Sequence, residues 1–296
     1  MRWLAILLIG FLVNCSNVEE GANRTVIVCT TGMIGDAVRN MADSTCVVHV
    51  LMGPGTDPHL FRPTKSSLDL LSEADIIIAN GLHLEGKMQE ILKKLQRNKE
   101  VYFLAESLKK DELLLSDSAS NIFDPHIWFD VSLWNHALKE FRNEFENKGI
   151  LNSGKCDKYL QSLSVLDEWV KSEISQIPDN RRVLITAHDA FSYFGRAYNV
   201  EVIGLQGIST VSEYGLRDIS NLVNTIVDRQ IPSVFIESSV SPRSIQAVIE
   251  GCKKEGFETQ LGGTLYSDAL GPPDSDADTY VKMVRHNVKT LREALQ

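Results

Sequence analysis

Ile76-Ile77-Ile78-Ala79-Asn80-Gly81 (76–81) is an unbroken apolar run that gives way to Asn-Gly. It lies between two stretches whose apolar residues recur with helical spacing, 64–74 and 85–97. A strand with helices before and after it is covered on both faces, and so its residues need not alternate apolar with polar. Seven other short β-branched and apolar runs read the same way: 25–30, 47–52 and 101–106 in the first half, then 183–188, 201–206, 234–239 and 260–266. Helical stretches at 212–229 and 241–256 continue the alternation. Strand followed by helix, with four strands in each half, predicts an α/β protein of two lobes, each a four-stranded parallel sheet flanked by helices.

Between the halves, Tyr159, Leu163, Leu166, Val170, Ile174 and Ile177 recur at three- and four-residue steps, the stripe of one long amphipathic helix. Pro178 stops it. The expected organisation is an N-terminal lobe at 24–152, a linking helix at 153–178 and a C-terminal lobe at 179–296. Bending a continuous helix breaks its backbone hydrogen bonds, and lobes joined this way are expected to move little.

A chain of 296 residues is long enough for two cores, and 43% hydrophobic with 23% charged residues fits neither a disordered chain nor a multi-span membrane protein. A net charge of −9 argues against a nucleic-acid partner, because no excess of cations is available to displace counterions from phosphates. Residues 1–15 read as a lipoprotein-type signal segment: Arg2, an apolar stretch from Trp3 to Val13, then Cys15 as the residue to be acylated. Asn14 stands where such a signal usually has a small residue. The apolar stretch falls short of the roughly 20 residues that span a bilayer. The mature protein is therefore expected outside the cytoplasmic membrane, periplasmic or at the cell surface, and lipid-anchored. Cys29, Cys46, Cys156 and Cys252 remain, in a compartment that permits disulfides. Cys29 near the end of the first strand and Cys46 just before the second fall at opposite edges of a parallel sheet, which leaves Cys156 with Cys252 as the expected pair.

Asp-Pro-His occurs twice, at 57–59 and 124–126, each time beyond a strand-like run. Proline fixes its own φ and pushes the residue before it toward extended geometry, so each imidazole is held in place at reduced entropic cost. His188 closes the fifth run and Asp268 follows the eighth. His59, His126, His188 and Asp268 all fall at carboxyl ends of strands, where ligands bind in open parallel α/β sheets. Imidazole nitrogen with carboxylate oxygen suits one borderline divalent ion: Zn2+, Mn2+ or Fe2+. Four such residues close a tetrahedron, and a carboxylate bound through both oxygens makes a fifth donor. Asp57, Asp124, Glu237 and His83 are candidates to support these ligands from behind. His136 and His286, within helical runs, read as surface or helix-packing residues, and His49, inside the second strand, as buried or between strands.

The motifs GlyThrAspProHisLeuPheArgProThr (55–64), AsnGlyLeuHisLeuGluGlyLys (80–87), AspProHisIleTrpPheAsp (124–130), AlaHisAspAlaPheSerTyrPhe (187–194) and TyrSerAspAlaLeuGly (266–271) together carry a resemblance. From about residue 25 onward the chain resembles the metal-specific solute-binding proteins of bacterial ABC importers for zinc and manganese. The resemblance implies two α/β lobes joined by a long helix, with the ion between them on His59, His126, His188 and Asp268. Manganese-dedicated members typically carry Glu where His188 stands. Zinc-dedicated members often carry a His-rich loop before the second ligand, whereas 107–123 here contains no His. The chain is most similar to the treponemal-type branch with three His and one Asp, whose ion is ambiguous among zinc, manganese and iron.

The resulting expectation is a monomeric, non-enzymatic protein that captures a divalent transition metal and delivers it to an ABC permease with its ATPase. Two alternatives stand beside it: a secreted zinc metallohydrolase, and a surface adhesin with a structural metal. Against the first, the chain has neither a His-Glu-x-x-His helix nor a Gly-x-Ser-x-Gly elbow.

Overall fold

Residues 24–117 and 122–296 are described by the structure, a computed structural model. The segment expected to be a signal, with Cys15, lies outside them. The first lobe runs β1 (Thr25–Cys29), α1 (Gly32–Met41), β2 (Cys46–Val50), α2 (Lys65–Glu73), β3 (Ile76–Ala79), α3 (Gln89–Leu95) and β4 (Glu100–Phe103). Its strands pair in parallel in the order β2-β1-β3-β4. Along the two central strands residues alternate between two cores: Ile27, Cys29, Ile76 and Ile78 enter one, Val28, Ile77 and Ala79 the other. This two-sided burial is what the uninterrupted Ile run signalled. On the edge strand β2, Val48 packs on the large core while His49 is exposed, because successive side chains point to opposite faces. His49 is thus neither buried nor packed between strands.

A short antiparallel pair follows, β5 (Leu115–Asp117) and β6 (Ile122–Phe123). Strands of three and two residues are too short for a period-two pattern to reveal. Asp130 then caps α4 (Val131–Phe145) by accepting the Leu133 N–H at 3.0 Å. Asn152 likewise caps α5 (Ser153–Ile174), accepting from Lys155 N at 3.0 Å. The long helix lies where the stripe of Tyr159, Leu163, Leu166, Val170 and Ile174 placed it, and these five are buried.

The second lobe runs β7 (Val183–His188), α6 (Ser192–Tyr198), β8 (Glu201–Gln206), α7 (Leu216–Arg229), β9 (Ser233–Glu237), α8 (Arg243–Lys254), β10 (Gln260–Leu265) and α9 (Tyr280–Leu295). Its four strands form two parallel ladders, β7 with β8 and β9 with β10, with β7 lying beside β9. The expected four strands are present, but their hydrogen bonding is interrupted at the β7/β9 seam. At its carboxyl end the His188 N–H donates to the Glu237 carboxylate at 2.9 Å, where a continuous ladder would use a backbone carbonyl.

Ile185, Leu222, Ile226, Val234 and Val248 form a core private to the second lobe. The largest core is shared: Met33, Trp134, Phe141 and Leu163 join Tyr193, Phe235, Met283 and Leu291 in one cluster. Polar links cross the same boundary. Tyr280 donates its N–H to Asp36 at 3.0 Å and its hydroxyl to the Trp128 carbonyl at 2.7 Å. The Tyr193 hydroxyl donates to the Asp124 carbonyl at 2.9 Å.

The expected Cys156–Cys252 disulfide does not form, and all four described cysteines are free. Cys156 is buried in the shared core with its thiol 3.6 Å from the Met41 carbonyl, whereas Cys252 belongs to the private core of the second lobe. Setting Cys29 and Cys46 apart constrained no distance between the other two. Burial pushes the Cys29 thiol up to about 12 and raises Cys156 and Cys252 as well, which keeps these thiols protonated and inert. Among the described residues no helix is long and apolar enough to cross a membrane.

Candidate metal centre

Both Asp-Pro-His segments fold the same way. Asp57 accepts the His59 N–H at 2.8 Å and Asp124 accepts the His126 N–H at 2.9 Å, each a carboxylate reaching two residues on across a proline that has no N–H of its own. From there the copies diverge. Asp124 Oδ1 also lies 2.7 Å from His126 Nδ1, which orients that ring and leaves Nε2 free to face the cleft. Asp57 instead turns its other oxygen to the second lobe, accepting the Thr210 hydroxyl at 2.6 Å, and His59 Nδ1 has no hydrogen-bond partner.

From the second lobe, His188 closes β7 with Nδ1 2.7 Å from Glu237 Oε2. Asp268 follows β10, and the neighbouring Ser267 carbonyl accepts from Trp128 Nε1 of the first lobe at 3.1 Å. The Trp128 ring also stands edge-on to His126, centroids 5.2 Å apart, so one indole braces a candidate ligand from each lobe.

The four candidates converge: each offers one ligand atom, and these atoms all lie within 4.8 Å of one another. His59 Nε2 and His126 Nε2 are 3.3 Å apart. Asp268 Oδ2 is 3.8 Å from His59 Nε2 and 3.4 Å from His188 Nε2, while Oδ1 is 3.5 Å from His126 Nε2. Donors held about 2.0–2.1 Å from one zinc ion at tetrahedral angles stand about 3.3–3.4 Å apart, close to these separations. Both carboxylate oxygens face imidazoles, which offers five donor atoms in all. His188 Nε2 and both Asp268 oxygens are buried without hydrogen-bond partners, a costly arrangement that a shared cation would satisfy.

The electrostatics fit the same chemistry. Burial drives the His59 pKa down to about 3, so its ring is neutral and ready to donate a lone pair at any ordinary pH. For His188 burial acts in the same direction, but the facing carboxylates of Glu237 and Asp268 outweigh it and hold the pKa well above the ordinary value. Asp268 is buried too, yet His188, His126 and His59 keep its carboxyl well below the usual range. Glu237→Gln is expected to weaken metal binding by about 10–100-fold while leaving the fold intact, because the neutral amide no longer raises the basicity of His188. Competition against a chelator of known affinity measures it; unchanged affinity would mean that Glu237 only fills the β7/β9 seam.

Of the other candidates, His83 does not stand behind the ligands. It is exposed, and no hydrogen bond joins its ring to any of the four. The sequence reading passed over Glu85, which is fully buried and accepts from the backbone of Asn80 at 2.6 Å and Gly81 at 3.1 Å and from the Thr30 hydroxyl at 2.8 Å. Burial raises its pKa against these donors. Glu85 fixes the loop after β3, and Gly86 presses that loop on the His59 backbone: a Cβ there would sit 2.3 Å from the His59 carbonyl oxygen. The motif at 80–87 contains both Glu85 and Gly86, but nothing in its spacing marks the glutamate as buried.

Comparison with known proteins agrees with this geometry. The family described as ZnuA, zinc-uptake complex component A, periplasmic, matches residues 27–294. The manganese-binding lipoprotein MntA of Bacillus subtilis is 41% identical over 300 residues, covering 99% of this chain and 98% of its own. The metal ABC transporter substrate-binding lipoprotein ScbA of Streptococcus cristatus is 28% identical, covering 99% and 98% respectively. The solved structure of the periplasmic zinc-binding protein TroA from Treponema pallidum superposes with a TM-score of 0.87 at 40% identity, covering 92% of this chain and 99% of that one. With three imidazoles and a carboxylate gathered between two α/β lobes, the chain belongs to the ZnuA family of periplasmic metal-binding components of uptake systems.

Proposed function

We propose that this protein captures a divalent transition metal outside the cytoplasmic membrane, on His59, His126, His188 and Asp268, and delivers it to an ABC permease with its ATPase. The observation that carries this reading is the convergence of His188 Nε2 and both Asp268 oxygens, buried and unpartnered, on the Nε2 atoms of His59 and His126. Residues 24–152 and 179–296 act as the two gripping lobes and 153–178 as their link. Acylation of Cys15 holds the monomer at the membrane surface. No reaction is catalysed: metal-assisted hydrolysis needs an open coordination position beside a water, whereas here four buried protein residues close around the ion. Zinc, manganese and ferrous iron all suit the five available donor atoms, and the relatives named for zinc and for manganese are almost equally similar.

Titration of chelator-stripped protein with zinc and with manganese tests the reading. One ion per chain is expected, and absence of saturable binding to either would overturn it. Because His188 must give up its proton before Nε2 can bind, affinity should fall as pH falls, by about tenfold per unit for each proton displaced. Calorimetry between pH 7.5 and 5.5 reads this slope; affinity that does not change with pH would rule out imidazole ligation.

A further inference from the structure

One edge of the candidate centre lies nearest the surface. His59 is the one candidate ligand whose side chain keeps any exposure, 2%, against zero for those of His126, His188 and Asp268. On that side a cavity of about 250 Å³ opens between the lobes, where His59 and His83 of the first and Ser209 and Ser212 of the second stand among apolar side chains that include Leu82 and Phe123. His83 is its exposed imidazole. The loop that presents it is strained: Gly81, Leu82 and His83 all adopt left-handed backbone, with φ of 84°, 52° and 69°. For residues with a Cβ this costs roughly 1–2 kcal/mol each. The loop is held from inside by Glu85 on the amides of Asn80 and Gly81, and at the surface by the exposed Glu106, which accepts the Leu82 N–H at 3.4 Å. The same loop braces the His59 backbone through Gly86, and it also fixes His83 on the cavity that His59 lines.

We infer that His83 is a loading ligand: it takes the incoming divalent ion at the cavity mouth, replaces one of its waters, and passes it to His59. The inference rests on the reading of the four-residue centre as the capture site, and adds a kinetic role beside it. Dehydration of the ion is then divided into steps, each releasing water only as a protein donor takes its place. The serine hydroxyls lining the same cavity accept hydrogen bonds from the departing waters. Because His83 lies outside the final coordination set, it lowers the barrier in both directions and leaves the equilibrium unchanged.

His83→Asn is the informative variant, since asparagine tolerates left-handed backbone and offers no imidazole. Stopped-flow mixing of metal-free protein with zinc gives the association rate, and transfer to excess chelator gives the dissociation rate. Both are expected to fall by about tenfold, with the dissociation constant within about twofold of the parent. An unchanged association rate overturns the inference. So does weakened equilibrium affinity with unchanged association, which would make His83 a ligand of the bound state. His59→Asn separates this from failure of the site itself: if that variant keeps full equilibrium affinity, the capture site is misassigned and the loading role falls with it. If His59→Asn loses affinity while His83→Asn loads at the parent rate, only the loading role is refuted.

Discussion

Asp268→Ala is expected to lower metal affinity by two to three powers of ten. The carboxylate is the single anion among the four candidates, and its two oxygens face the Nε2 atoms of His59, His126 and His188 at 3.4–3.8 Å. Structural four-ligand sites bind zinc with apparent free energies of about 10–16 kcal/mol, so one ligand carries about 2.5–4 kcal/mol. At about 1.4 kcal/mol per factor of ten, that share gives the stated loss. Asp268→Asn should lose nearly as much, since the amide keeps the shape and discards the charge. Calorimetric titration of the stripped variants decides the matter. Affinity within about threefold of the parent in both would remove Asp268 from the site.

Trp128→Ala is expected to cost about 3–5 kcal/mol of stability in the metal-free protein. The indole is 1% exposed and fills the shared core between the lobes. Its loss also frees the Ser267 carbonyl and removes the wall beside His126, so metal affinity should fall along with stability. Trp128→Phe keeps most of the volume and gives up the N–H, at a cost of about 1 kcal/mol from the hydrogen bond. Urea unfolding of the two variants separates packing from the polar link. A loss under about 1 kcal/mol for the alanine variant would contradict the packing role assigned to this ring.

Local signals carried the strands, the long helix and the four convergent side chains, because apolar period, proline geometry and position at a strand end are written in neighbouring residues. Asp-Pro-His is the clearest case: the carboxylate and the imidazole it positions are two residues apart. Glu237 meets His188 across 49 residues, and Trp128 meets Ser267 across 139, and no spacing rule links such pairs. Tertiary packing alone brings them together. The cysteines show the same gap: separating Cys29 from Cys46 at opposite sheet edges leaves a pair, Cys156 and Cys252, that the folded cores keep apart. The β7/β9 seam was equally invisible, since the apolar pattern of a strand does not reveal whether its neighbour answers with a carbonyl or with a glutamate. His83 stands in a visible motif, but its exposed position follows three successive left-handed residues, 81–83, in a loop that buried Glu85 holds only at Asn80 and Gly81.

The shared core has a consequence for how the chain reaches its native state during synthesis. α9, the last sixteen-residue helix, packs against α5 and α1, and its Tyr280 supplies the amide that Asp36 of the first lobe accepts. An emerging chain can pair β1 to β4 and pack α1 on α5 and α5 on α4, yet the part of these helices that α9 covers is completed only by residues 280–295. Residues 280–295 therefore complete a core that α1 and α5 begin, so that core joins segments far apart in the chain.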